Sequence, residues 1–140
     1  MSTANRPVPK PNGFTCTAPF WQAARDRKLM LQYCPESGRF QHVPRPVSVY
    51  TGKRNLEWRE VAGKGHIYAL TTLRVGRAEI AARLPLIAAT IELDEGVRII
   101  GNLIESEPRS CRIGRRVELA WDMLDEGMSY PAFRIANESR

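Results

Sequence analysis

Hydrophobic residues in the second half of this chain recur at every second position. In the first half they fall once into helical spacing and then scatter among prolines and glycines. Over residues 116–124, Val117, Leu119 and Trp121 alternate with Arg116, Glu118 and Ala120, the period of two that a strand with one buried face requires. Apolar runs at 65–73, 84–93 and 97–104, and a shorter one at 130–135, are separated by turn-rich segments. Asp94-Glu95-Gly96 stands between two of these runs as a tight hairpin. Upstream, Phe20, Ala23, Ala24, Arg27, Met30 and Leu31 return near the 3.6-residue period and predict a helix over 20–33, with Arg25, Asp26 and Lys28 on its polar face. Residues 34–57 hold Pro35, Gly38, Pro44, Pro46 and Gly52, which force turns rather than long elements. Residues 1–19, with Pro7, Pro9, Pro11 and Pro19, read as a flexible arm, and 136–140 as a short tail.

Five short strands with no helices between them predict a mainly β fold, an OB-type Greek-key barrel over 58–135 in which closure removes exposed edges. A chain of 140 residues has room for one such domain and a small appendage. Cys16, Cys34 and Cys111 are scattered and odd in number, which argues against a disulfide framework and for a cytoplasmic setting. No apolar run approaches the roughly 20 residues of a membrane span. A net charge of +6 permits an anionic ligand without selecting one. Single-stranded nucleic acid is one alternative, since Trp58, Tyr68, Trp121, Arg74, Arg77, Arg98 and Arg116 are residue types an OB barrel uses for it. Aromatics make up only 8% of the chain, however, and the basic residues do not interleave with them along a strand.

The turns of 34–57 carry the spacing of a rubredoxin-like zinc ribbon in degenerate form. Tetrahedral zinc in such a ribbon takes four ligands from two C-x2-C knuckles. Here Cys34 is followed by Ser37, Ser48 and Thr51 at the remaining positions, and neutral hydroxyls replace thiolates poorly, so neither stable zinc nor another bound cofactor is expected. A self-contained catalytic set is also missing from the sequence. Cys16 and Cys111 have no recognisable base. Cys34 has Arg27, Lys28, Arg39 and His42 near it in sequence, which would lower its thiol pKa, but its match to a ribbon ligand position explains its presence more simply. His42 and His66 read as a turn residue and a strand residue. Glu92, Asp94 and Glu95 read as a solvated hairpin rather than an acid–base pair. No catalytic residue is assigned.

Several segments in order carry a family resemblance: FQHVPRPV, LEWREVAGKGHIYALTT, LPLIAATIELDEGVRIIGNLI, IGRRVELAW and YPAFR. Together they resemble the ribbon-plus-OB-fold family known as domain of unknown function 35, over roughly 20–134. The resemblance implies a non-catalytic accessory subunit of a thiolase-like acyl-CoA enzyme, either an acyltransferase or a carbon–carbon lyase, that stabilises the complex and helps position its CoA thioester. A standalone acyl-CoA-binding protein is the runner-up. CoA offers phosphates to cations and needs an apolar passage for pantetheine. The candidate contacts are accordingly Arg39, Arg45, Lys53 and Arg54, with Phe40, Tyr50 and Trp58 as walls. Phe20, Trp21, Leu29 and Met30, rimmed by Arg25 and Arg27, form a candidate docking face on the expected helix, which has the alternative role of covering the barrel.

Overall fold

The computed structural model describes residues 16–123 and 129–137. Residues 1–15 of the expected arm, Leu124 and residues 138–140 of the tail lie outside that range. Helix α1 spans Ala18–Arg25 and buries Phe20 and Ala24. It stops in a Schellman motif: Arg27 N–H donates to Ala24 O and Lys28 N–H to Ala23 O, both at 3.0 Å, with Arg27 in the left-handed region at φ 55°. The expected helix over 20–33 is therefore corrected. Its second half is strand β1, Leu29–Cys34, where Leu29 and Leu31 point into the core with 1% and 0% exposure. The apolar pair Met30-Leu31 fits either period, and the turn at Arg27 decides between them.

Strand β1 is the centre of a three-stranded antiparallel sheet, flanked by β2 (Arg39–Gln41) and β3 (Glu57–Val61). Residues 58–61, expected as the start of the barrel, pair instead with β1. A second, five-stranded sheet holds β4 (Gly65–Leu73), β5 (Leu86–Leu93), β6 (Arg98–Asn102), β7 (Arg116–Met123) and β8 (Ser129–Ile135) in the order β6-β5-β4-β7-β8. A parallel bridge between Leu103 and Phe133 joins the two ends of this sheet and nearly closes the barrel. Neighbours then run β4, β5, β6, β8, β7 and back to β4, the OB arrangement expected from the strand spacing.

The two sheets share one core. Phe20, Leu29, Leu31 and Val61 belong to the same buried cluster as Ile67, Ile91, Leu93, Val117 and Phe133 of the barrel. Helix α1 lies against β1 and β8. It is held by a T-shaped contact between Trp21 and Tyr130 at 5.3 Å and by the Ser129 hydroxyl donating to Ala24 O. Of the two roles left open for the helix, covering the barrel is realised. A largely buried ion pair, Arg83 with Asp122, pins the 3-10 turn at Ala78–Arg83 to β7.

Candidate functional site

Two five-residue turns, Cys34-Pro35-Glu36-Ser37-Gly38 and Ser48-Val49-Tyr50-Thr51-Gly52, repeat one hydrogen-bond plan. In the first, Gly38 N–H donates to Cys34 O at 2.8 Å and Ser37 N–H to Cys34 Sγ at 3.4 Å. In the second, Gly52 N–H donates to Ser48 O at 2.9 Å and Thr51 N–H to Ser48 Oγ at 3.3 Å. Each ends on a left-handed glycine, φ 69° at Gly38 and 74° at Gly52, a conformation that costs glycine alone little. These are the two knuckles of a ribbon. Their geometry survives although three of the four ligand positions carry hydroxyls.

Those positions do not suit a metal. Cys34 and Ser48 are buried at 0% and 1% exposure, and the Thr51 hydroxyl accepts from Lys53 N–H at 3.2 Å. The polar Ser37 and Ser48 side chains beside the sulfur, with the Ser37 backbone N–H, hold the Cys34 thiol down to about 7. One thiolate with neutral hydroxyls is not a zinc donor set, and no three His, Cys, Asp or Glu side chains converge among the described residues.

Gln32 and Gln41 hold the second knuckle in place, and the sequence reading overlooked both. They face each other across β1 and β2, are each 4% exposed, and are joined by Gln41 Nε2 donating to Gln32 Oε1 at 2.9 Å. Gln32 also accepts from Arg45 N–H at 2.8 Å and donates to Arg45 O at 2.9 Å. Gln41 donates to Val47 O at 3.2 Å and accepts from Val49 N–H at 2.9 Å. Each such bond contributes about 0.5–1.5 kcal/mol net, and stranding one buried partner costs more than that. Spacing gave no hint of this pair: glutamine has no motif, and its burial depends on the correct reading of β1 as a strand.

The anchored loop walls two open clefts. One, of about 450 Å³, lies between the ribbon and the barrel and is lined by His42, Val43, Arg45, Tyr50, Glu92 and Arg98 among others. The other, of about 440 Å³, is lined by Cys16, Gln32, Arg45, Arg54, Leu56 and Trp58 with Pro46. Of the CoA candidates, Arg45 faces both clefts, Tyr50 the first, and Arg54 and Trp58 the second. Arg39 lies over the Tyr50 ring at 5.3 Å. Lys53 is engaged with Glu36 at 2.9 Å. Phe40 packs on Tyr33 at 4.9 Å and lines neither cleft. Arg98, weighed in the sequence for nucleic acid and not for CoA, contributes cationic lining to the first cleft while it stacks 3.7 Å from the Tyr68 ring centroid.

Of the docking candidates, Phe20 and Leu29 are committed to the chain's own core, and Trp21 and Met30 are half-buried. Arg25 and Arg27 are exposed. Burial pushes the His42 imidazole below its usual range. His66 sits on β4, away from either cleft lining. In the acidic hairpin Asp94 is exposed and paired to Arg116 at 2.7 and 2.9 Å, whereas Glu92 and Glu95 are partly buried and the Glu95 Oε2 is shielded from solvent.

A family model described as "ChsH2, C-terminal OB-fold domain" matches residues 58–122. A chain of the solved structure titled "Ltp2-ChsH2(DUF35) aldolase" superposes with a TM-score of 0.82 at 30% sequence identity, covering 93% of this chain and 100% of that one. The chain belongs to the DUF35/ChsH2 OB-fold family. That family is associated with thiolase-like acyl-CoA enzyme complexes. A "probable enoyl-CoA hydratase alpha subunit" of Thermomonospora curvata is 32% identical over 118 residues, 84% of this chain and 37% of that protein. A "DUF35 domain-containing scaffold protein" of Methanocaldococcus jannaschii is 32% identical over 76 residues, 53% of this chain and 54% of that one. This DUF35 chain thus spans about a third to a half of the length of these two curated relatives.

Proposed function

We propose that this DUF35 protein is a non-catalytic accessory subunit of a thiolase-like acyl-CoA enzyme, stabilising that enzyme and helping to position its CoA thioester. The observation that carries the reading is the end-to-end correspondence with a chain of the Ltp2-ChsH2(DUF35) aldolase structure. Two features support it. Cys34, whose thiol is held down to about 7, is fully buried at 0% exposure and so is shut off from a substrate. In addition, Val43, Val49 and Tyr50 are exposed in the lining of the first cleft, and exposed Ile100 shares a neighbouring hollow with Val43, a grouping of apolar surface of the kind that marks interaction sites.

Co-purification of the chain, followed by assay of the recovered enzyme with and without it, tests the proposal. The expected result is a stable complex whose acyl-CoA turnover falls when the chain is withdrawn. Recovery of no thiolase-like protein, together with specific CoA-thioester binding by the isolated chain, would overturn it in favour of a standalone acyl-CoA-binding protein.

A further inference from the structure

The twin knuckles pose a physical problem. A small ribbon has too little core to fix its second knuckle, and in a four-cysteine ribbon the metal supplies that constraint directly. Here the donor set fails, yet both knuckles keep the same hydrogen-bond plan and the same left-handed glycine. Between them sit two buried primary amides in register on β1 and β2, whose five hydrogen bonds include four to the backbone of residues 45–49.

We propose that the Gln32–Gln41 pair takes the place of zinc as the clamp that fastens the second knuckle, and with it the cleft wall carrying Arg45, Val49 and Tyr50, to the β1–β2 hairpin. The two amides suit this task because each offers both donors and an acceptor. Gln32 Oε1 receives two N–H groups and Gln41 Nε2 gives two. Reversing either amide would set N–H against N–H at Arg45 or Val49, so the network fixes a single orientation. A clamp of this kind holds geometry only while both members are present, since a half-satisfied buried network is worse than none. Gln32 and Gln41 are therefore positioning residues: they touch the loop backbone, and the loop presents the cleft.

Amide hydrogen exchange on the full chain reads the clamp directly. In Gln32→Leu/Gln41→Leu, exchange at the Arg45 and Val49 amides rises by about tenfold or more. Ile67 and Leu93, whose N–H groups bond within the barrel, keep their wild-type rates. Should the double variant not fold, Gln41→Met alone deletes three of the five bonds and is read at Val49. Adding Ser37→Cys/Ser48→Cys/Thr51→Cys to the exchange-labile variant restores four thiolate positions. Zinc then binds at one per chain and slows Arg45 and Val49 again, and a chelator reverses the effect. Unchanged exchange at Val49 in the glutamine variants overturns the assignment, as does acceleration shared equally by Ile67 and Leu93. Failure of the cysteine-restored chain to bind zinc overturns the claim that the knuckles retain ribbon geometry.

Discussion

Cys34 is at once fully buried and depressed in pKa, and the two properties have separable consequences. A folded-state thiol near 7 against an unfolded value near 8.5 means that the folded chain releases this proton first. The resulting stability is fully present above the unfolded value and is lost as pH falls through about 7. Thiolate absorbance in a Cys16→Ser/Cys111→Ser chain should titrate with a midpoint near 7 and move up in Ser37→Ala/Ser48→Ala. Alkylation of Cys34 in the native protein should nonetheless be slow, because the sulfur is out of reach. At the second cleft, Arg45 and Arg54 face the same space as Trp58. If the proposed complex forms and this cleft takes CoA, replacing either arginine by alanine should raise the apparent KM for the CoA substrate about 3- to 10-fold with kcat little changed, the effect of removing an exposed charge contact. Cys34, Ser48, Gly38 and Gly52 were legible in the sequence because thiols and turn glycines carry spacing signals. Gln32 and Gln41 were not, because an amide declares its role only through the backbone groups it meets.

Legibility among the elements follows how strongly the chain punctuates them. The bounds of β4 were read directly as 65–73, and β5 and β6 fell within two residues of their expected ends, because glycine, proline and acidic turn residues frame each run. Helix α1 and strand β1 were merged, because the turn between them is made by Arg27 where a glycine would have signalled it. The same position gives a prediction. Arg27→Gly removes the cost of holding a non-glycine residue at φ 55° and should stabilise the chain by about 1 kcal/mol, measured as a higher midpoint in urea with an unchanged slope. Trp21, half-buried between Phe20 and Tyr130, has already spent part of its surface inside the chain. Trp21→Ala should therefore lower the stability of the isolated protein as well as any assembly.

At the scale of the whole molecule, ribbon and barrel form one folding unit, because a single buried cluster runs through both. Phe133 is its largest fully buried side chain, and its backbone closes the barrel through the Leu103 bridge and the bond from Ile104 N–H to Phe133 O at 2.8 Å. Phe133→Ala should cost about 3–5 kcal/mol, a large share of the 5–15 kcal/mol typical of a domain. Calorimetry should show one transition at a lower temperature, and two separated transitions would contradict a shared core. The β8 hydroxyl that meets the helix brings a different constraint. Ser129 and Ala24 are 105 residues apart in sequence, and an eight-residue helix has no stability of its own. On a translating ribosome, α1 can meet β1 as soon as that strand emerges, but its second contact surface, β8, follows only 105 residues later, so the part of its apolar face that meets β8 stays exposed through that interval. Shielding of that face by a chaperone or by a waiting partner subunit would thus matter most before the final strand is made.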